Sequence, residues 1–255
     1  MLDEYVNIIH VSKSQSSPRE TVIQSQPNQL CPSSLTSTLP VHAEFDKIAA
    51  FQSSQRASQS LTATFDGLTT EIEFWNFDND YCHNPPSTCF PTSQGGQACC
   101  SCNDESSCFD AYSAALTYMR SLRLISPAGR PVVIISYVSG HLAEIATAAQ
   151  VSTLSKLADR VDPACYTSPD PAAAFRYCQG TIRALQASSP SLAVFPIFSS
   201  ESEYMGPWLA GRANPLDAAE AAFNTAASAS GQVSALSYGF QYFEYGWMSR
   251  FIGTS

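Results

Sequence analysis

The stretch FDGLTTEIEFWNFDND, Phe65 to Asp80, decides how the rest of the chain is read. Its centre, GLTTEIEFW (67–75), is rich in Thr, Ile, Phe and Trp, which is the composition of a β-strand. Side chains two apart on a strand share a face. Thr69, Glu71, Glu73 and Trp75 are therefore expected on one face, and Ile72 and Phe74 on the other. Ile72 and Phe74 suit a covering layer of helices, which leaves the glutamates facing away from it. Two carboxylates this close do not both ionise cheaply, so one is expected to titrate late, as a general acid requires. The plainer reading is a solvent-facing strand on which Thr and Glu alternate with apolar residues.

The text on either side sets the architecture. AEFDKIAAFQSSQRASQ (43–59) reads as a helix before the strand. After it, FDAYSAALTYMRSLRLIS carries Phe109, Tyr112, Leu116, Met119 and Leu122 at helical spacing. PVVIISYVS reads as a strand covered on both faces. HLAEIATAAQVSTLSKLADR reads as one helix and VDPACYTS as a short strand. DPAAAFRYCQGTIRALQASSP is a helix whose Asp170-Pro171 start pairs an N-cap with proline at the first helical position. LAVFPIFSS, NPLDAAEAAFNTAASAS and VSALSYGFQYF follow as strand, helix and strand.

Strict alternation of strand and helix predicts a parallel sheet with helical crossovers. Polar and aromatic residues gather at the carboxyl end of each strand: Glu73 and Trp75, Tyr137, Tyr166, Glu201 and Glu203, Tyr242 and Glu244. That distribution predicts an α/β fold of the (β/α)8 TIM-barrel-like kind, whose site is built at that end. An open doubly wound sheet is the alternative closure. Only about 65 residues precede the carboxylate strand, where three βα units usually take roughly 90. The first βα units are thus expected to be incomplete or irregular. Residues 1–43 read as an irregular N-terminal segment, and 44–255 as the barrel-like domain. No strand is followed by a Gly-rich phosphate loop, and no nucleophile elbow G-x-S-x-G occurs.

The chain has 255 residues, a formal charge of −9 and only 14% charged residues. No basic run or basic helix face appears, which argues against a nucleic-acid partner. No apolar run approaches the ~20 residues of a membrane span. Six of the nine cysteines, Cys82, Cys89, Cys99, Cys100, Cys102 and Cys108, fall in a Gly/Pro/Ser/Asn-rich insertion at about 76–108. That density is usual in oxidising compartments, so a secreted or extracellular protein is expected, with Met1 not the natural start of its precursor. Zinc sites usually space their cysteines C-x2–4-C, and Cys100-Ser101-Cys102 is too tight for that. Three disulfides are expected there, with 15 connectivities open. Cys165 and Cys178 are either a further pair or two buried thiols. The histidines show no metal spacing, and neither metal nor cofactor is expected.

DGLTTEIE, Asp66 to Glu73, resembles the signature D-G-x-D-x-D-x-E of family 18 glycoside hydrolases, the chitinases and endo-β-N-acetylglucosaminidases on (β/α)8 barrels. Asp66, Gly67 and Glu73 match; Thr69 and Glu71 stand where the family has its two inner aspartates. The resemblance implies that Glu73 protonates the leaving oxygen and that Glu71 orients the substrate's 2-acetamido group, the substrate-assisted variant of glycoside cleavage. ACYT resembles the family's M-x-Y-D, with Tyr166 in the tyrosine position and Thr167 where Asp or Asn is expected. Trp247 stands where such barrels floor the sugar site. Asp66, Trp75, Tyr137, Tyr166, Glu201, Tyr242, Glu244 and Trp247 are the expected substrate contacts, with Glu73 and Glu71 catalytic. The implied function is a secreted, carbohydrate-active glycoside hydrolase acting on N-acetylglucosamine-containing glycans. The alternative is a non-catalytic barrel, its aspartates lost, that binds glycans or a protein at the same face.

Overall fold

The computed structural model describes residues 6–11, 20–25, 40–57, 65–70, 105–166, 168–231 and 239–243. The architecture is α/β, with parallel strand pairs and intervening helices. The chain divides into two compact units: Met1–Ile8, Thr21–Ser136 and Lys156–Asp159 form the first, and Ile9–Glu20, Tyr137–Ser155 and Arg160–Ser255 the second. The strand Val133–Ser139 begins in one and ends in the other.

In the first unit the hydrogen-bonded strand order is β1 (Val6–Val11), β2 (Glu20–Ser25), β3 (Gly67–Thr70), β4 (Val133–Ser139). β2 pairs β3 in parallel with Val22 opposite Gly67, and β3 pairs β4 in parallel with Thr69 opposite Ile135. Among the described residues it also holds two helices, α1 (Pro40–Ala57) and α2 (Glu105–Ser121). The five residues expected at helical spacing behave as predicted for the first four: Phe109, Tyr112, Leu116 and Met119 are buried. The Tyr112 hydroxyl meets Ser136 Oγ at 2.8 Å, so α2 covers the face of β4 that carries Ser136. Val133, Ile135, Tyr137 and Ser139 then point the other way.

Buried Gln52 on α1 ties the unit together. Its Nε2 donates to the carbonyls of Phe65 and Ile125, both at 3.0 Å, and its Oε1 accepts from Phe65 N–H at 2.8 Å. One amide side chain thus acts as a strand partner just before β3, satisfying backbone groups that burial would otherwise leave costly.

The second unit holds the end of β4, then α3 (Leu142–Ile145), α4 (Ala148–Leu157), β5 (Arg160–Ala164), α5 (Pro171–Ser188), β6 (Ala193–Val194), β7 (Ile197–Ser199), α6 (Gly206–Ala210), α7 (Pro215–Ala229) and β8 (Gln241–Phe243). β5 pairs β6 and β7 in parallel, and β7 pairs β8 in parallel. Asp170 caps α5 as expected, its Oδ1 accepting from Ala173 N–H at 2.8 Å with Pro171 next in the chain.

Two elements read as continuous are broken. The helix expected over HLAEIATAAQ splits into α3 and α4. Thr147 Oγ1 accepts from Gln150 N–H while Gln150 Oε1 accepts from Thr147 N–H, a reciprocal capping box that starts α4 afresh. The strand expected over LAVFPIFSS splits into β6 and β7 at Pro196, which has no N–H for the ladder. The short α6 was not anticipated.

The core of this unit is aromatic. Phe198 lies 5.4 Å from Phe223, 5.2 Å from Phe240 and 5.6 Å from Tyr242, ring centre to ring centre, and Phe175 meets Phe223 edge-on at 5.4 Å. Cys165 and Cys178 form a disulfide between the end of β5 and α5. Among the described residues no helix is long and apolar enough to cross a membrane.

Candidate functional site

Strand alternation sorts the second unit's residues by face. Cys165 is bonded to α5, and Phe198 and Tyr242 pack on α7 or its Phe223, so these point to the helices. Their neighbours in the chain point the other way: Asp162 and Tyr166 on or after β5, Ser199 and Glu201 on or after β7, and Gln241 on β8. Tyr137 and Ser139 of β4 are opposite in phase to Ser136 and so point away from α2. The Tyr137 and Tyr166 rings lie 6.4 Å apart and tilted by 38°. Of the expected contacts, Tyr137, Tyr166 and Glu201 therefore lie near the carboxyl ends of β4, β5 and β7, opposite in phase to the helix-facing residues of those strands.

Two of these strand ends are built alike. Ser199 Oγ donates to Glu201 Oε2 at 2.7 Å and accepts from Glu201 N–H at 3.2 Å. Ser139 Oγ lies 2.8 Å from His141 Nδ1 and accepts from His141 N–H at 3.3 Å. In each, a buried serine closes a small turn and holds the side chain two residues on. His141 Nδ1 also meets the Tyr177 hydroxyl at 2.7 Å, so two hydroxyls fix the ring and Nε2 is the nitrogen they leave unused.

Backbone packing sets these turns. A Cβ on Gly140 would fall 2.5 Å from the Ala164 carbonyl oxygen and into the Tyr177 ring, and Thr181 Oγ1 donates to the Gly140 carbonyl at 2.8 Å. A Cβ on Gly206 would fall 2.6 Å from the carbonyl oxygens of Ser200 and Glu201. The Glu201 carbonyl accepts from the N–H groups of Tyr204 and Gly206, which closes the loop below the acid. His141 is not among the contacts expected from the sequence. The signal was the serine two positions before it at a strand end, the same spacing as Ser199 and Glu201. Tyr177, 36 residues away, had no local signal.

Other expected contacts lie elsewhere. Tyr242 turns to α7, where its hydroxyl donates to the Leu216 carbonyl at 3.1 Å and approaches Glu220 Oε1 at 3.4 Å. Asp66 precedes β3 at its amino end, where its carbonyl accepts from Val133 N–H. Tyr242 therefore faces α7 in the second unit, and Asp66 belongs to the first unit. Glu71, Glu73, Trp75, Glu244 and Trp247 lie outside the described residues, as do Thr167, Cys82, Cys89, Cys99, Cys100, Cys102 and the side chain of Cys108.

The Glu220–Tyr242 contact carries a pH signature. Burial pushes the Glu220 carboxyl up to about 7, opposed by the Tyr242 hydrogen bond and reinforced by Asp217. A carboxyl raised in the folded state contributes stability that is complete below the usual 4.5 and gone once pH passes about 7. Glu220→Gln stays neutral and keeps the acceptor oxygen. It should stabilise the protein above pH 7 by roughly 1–2 kcal/mol, after discounting the shift for partial exposure. The gain should vanish towards pH 4.5. Thermal unfolding of both proteins across this range checks it; a constant difference would remove Glu220 as the titrating group.

No protein-family model matches the chain, and no curated protein matches it either.

Proposed function

We propose that the chain is a secreted, carbohydrate-active protein with a (β/α)-barrel-like fold of the family 18 glycoside hydrolase kind, taking N-acetylglucosamine-containing glycans at the carboxyl ends of its strands. The observation that carries this reading is that the Tyr137–Tyr166 ring pair and a carboxylate, Glu201, held by a buried serine, both stand at strand carboxyl ends in the phase opposite to the helix-facing residues. Aromatic rings accept the apolar faces of sugars, and an oriented carboxylate accepts their hydroxyl protons; a few polar groups beside an apolar platform is the composition of such sites. Their position at strand carboxyl ends is where barrel folds place their chemistry. The Cys165–Cys178 disulfide and the cysteine-rich insertion support an oxidising compartment.

The hydrolase form of the reading assigns the acid to Glu73 and its partner to Glu71. The non-catalytic form is favoured by one observation: Thr69, in place of the first inner aspartate, is a buried neutral residue opposite Ile135, on the face of β3 turned away from α2. Titration with chitotetraose separates the readings. Saturable binding is expected, weakened roughly tenfold by Tyr166→Ala and by Glu201→Gln, since losing one stacked ring or one charged acceptor removes about 1–1.5 kcal/mol. Turnover that disappears in Glu73→Gln while binding persists identifies the hydrolase. Binding without turnover in both proteins leaves a binding module. No saturable binding of chitotetraose or of a free N-glycan ends the proposal.

A further inference from the structure

The first unit contains a cavity of about 510 Å³ at the amino ends of β3 and β4. This is within the ~300–1,000 Å³ usual for small-molecule sites. Leu68, Met119, Leu124, Ile125, Val132 and Ile134 supply apolar walls. Three charged side chains line it as well: Arg120, Arg123 and Asp159. Two of them satisfy each other. Arg120 Nη2 donates to Asp159 Oδ1 at 2.8 Å, and Arg120 also donates twice to the Leu157 carbonyl. The other Asp159 oxygen accepts from Ile134 N–H at 2.9 Å. Among the described residues no carboxylate bonds Arg123, whose side chain is exposed.

Arg123 is also held where a side chain is disfavoured. It follows the end of α2 with φ of 49°, the left-handed conformation that usually falls to glycine after a helix. The same connection places glycine at its other left-handed position, Gly129, with φ of 74°. An arginine in a glycine position, lining an apolar cavity, is a strained residue placed where a charge is useful.

We infer that this cavity binds an amphipathic carboxylate, its alkyl chain against the apolar walls and its head group paired with the Arg123 guanidinium. One unpaired planar cation matches one carboxylate, with two parallel N–H···O bonds available. The apolar walls exclude a small hydrophilic anion as the best ligand, because each buried methylene of the tail adds to affinity. This site is independent of the glycan-binding face and does not rest on that reading.

The test is calorimetric titration of the full chain with sodium decanoate, with 1-decanol and inorganic phosphate as the other arms. Decanoate is expected to bind saturably, to shift the Met119 methyl resonance, and to bind more tightly than either control. Arg123→Gly removes the charge and supplies the residue the backbone prefers, so its melting temperature should be unchanged or higher. Its decanoate affinity should fall at least about tenfold, with decanol unaffected. Arg123→Asn, which also tolerates positive φ, should show the same loss. Absence of saturable decanoate binding to the wild type, equal binding of decanol or phosphate, or unchanged decanoate affinity in the folded Arg123 variants overturns the inference.

Discussion

Asp162→Ala should destabilise the protein by about 3–5 kcal/mol, the usual cost of removing one partner of a buried ion pair. Arg160 and Asp162 lie two apart on β5 and so share a face. Two parallel bonds of 2.8 Å join them, Nε to Oδ1 and Nη2 to Oδ2, and their side chains are only 3% and 2% exposed. The guanidinium also stands over the Phe195 ring, 4.5 Å from its centre. Removing the carboxylate takes both of these charge-assisted bonds from a buried guanidinium. Removing both charges is different: Arg160→Met with Asp162→Leu gives up the attraction and the desolvation cost together and should lie much closer to wild type. Denaturant unfolding of the single and double variants measures the contrast. A loss under about 1 kcal/mol in Asp162→Ala would mean that the site admits water or another counter-ion.

Phe198→Ala should cost a comparable amount, about 3–5 kcal/mol, by leaving a cavity at the centre of the second unit. Phe198 has no solvent exposure and touches the rings of Phe223, Phe240 and Tyr242. It joins β7, β8 and α7 in one contact set, so neighbouring side chains have little freedom to collapse into the space. Phe198→Leu keeps most of the volume and should cost less than half as much. The next residue is Ser199, which holds Glu201 from the opposite face. Loss of the ring is therefore expected to loosen that carboxylate as well. Near-ultraviolet circular dichroism and unfolding midpoints read the packing; retained wild-type stability in Phe198→Ala would rule out this ring as the core of the unit.

Much of the local structure was legible in the chain because its causes are local. Helical spacing of Phe109, Tyr112, Leu116 and Met119 marked α2 and its buried side. Asp170 and Pro171 marked the start of α5 in two residues, since an N-cap needs only an acceptor and a fixed φ. The apolar run before Gly140 marked β4. The breaks at Thr147 and Pro196 were present in the sequence too, as a capping box and a missing N–H, but the hydrophobic pattern running across them concealed both.

The faces of the strands were legible in period and less so in phase. Tyr137, Tyr166 and Glu201 take the phase that alternation assigns to them, whereas Tyr242 follows the same two-residue period onto the helix side. Its phase was fixed by Phe198 and α7, far away in sequence. The same is true of Tyr177 against His141, of Cys178 against Cys165, and of Gln52, which reaches backbone groups 13 and 73 residues distant. The sequence by itself determined the α/β alternation, the helix starts and the two-residue period of each strand, because these follow from backbone sterics and near-neighbour spacing. Only the tertiary structure decided which phase of each strand met the helices, and which serine, tyrosine or arginine stood beside which partner, because burial and hydrogen bonding between distant residues exist only once the chain has packed.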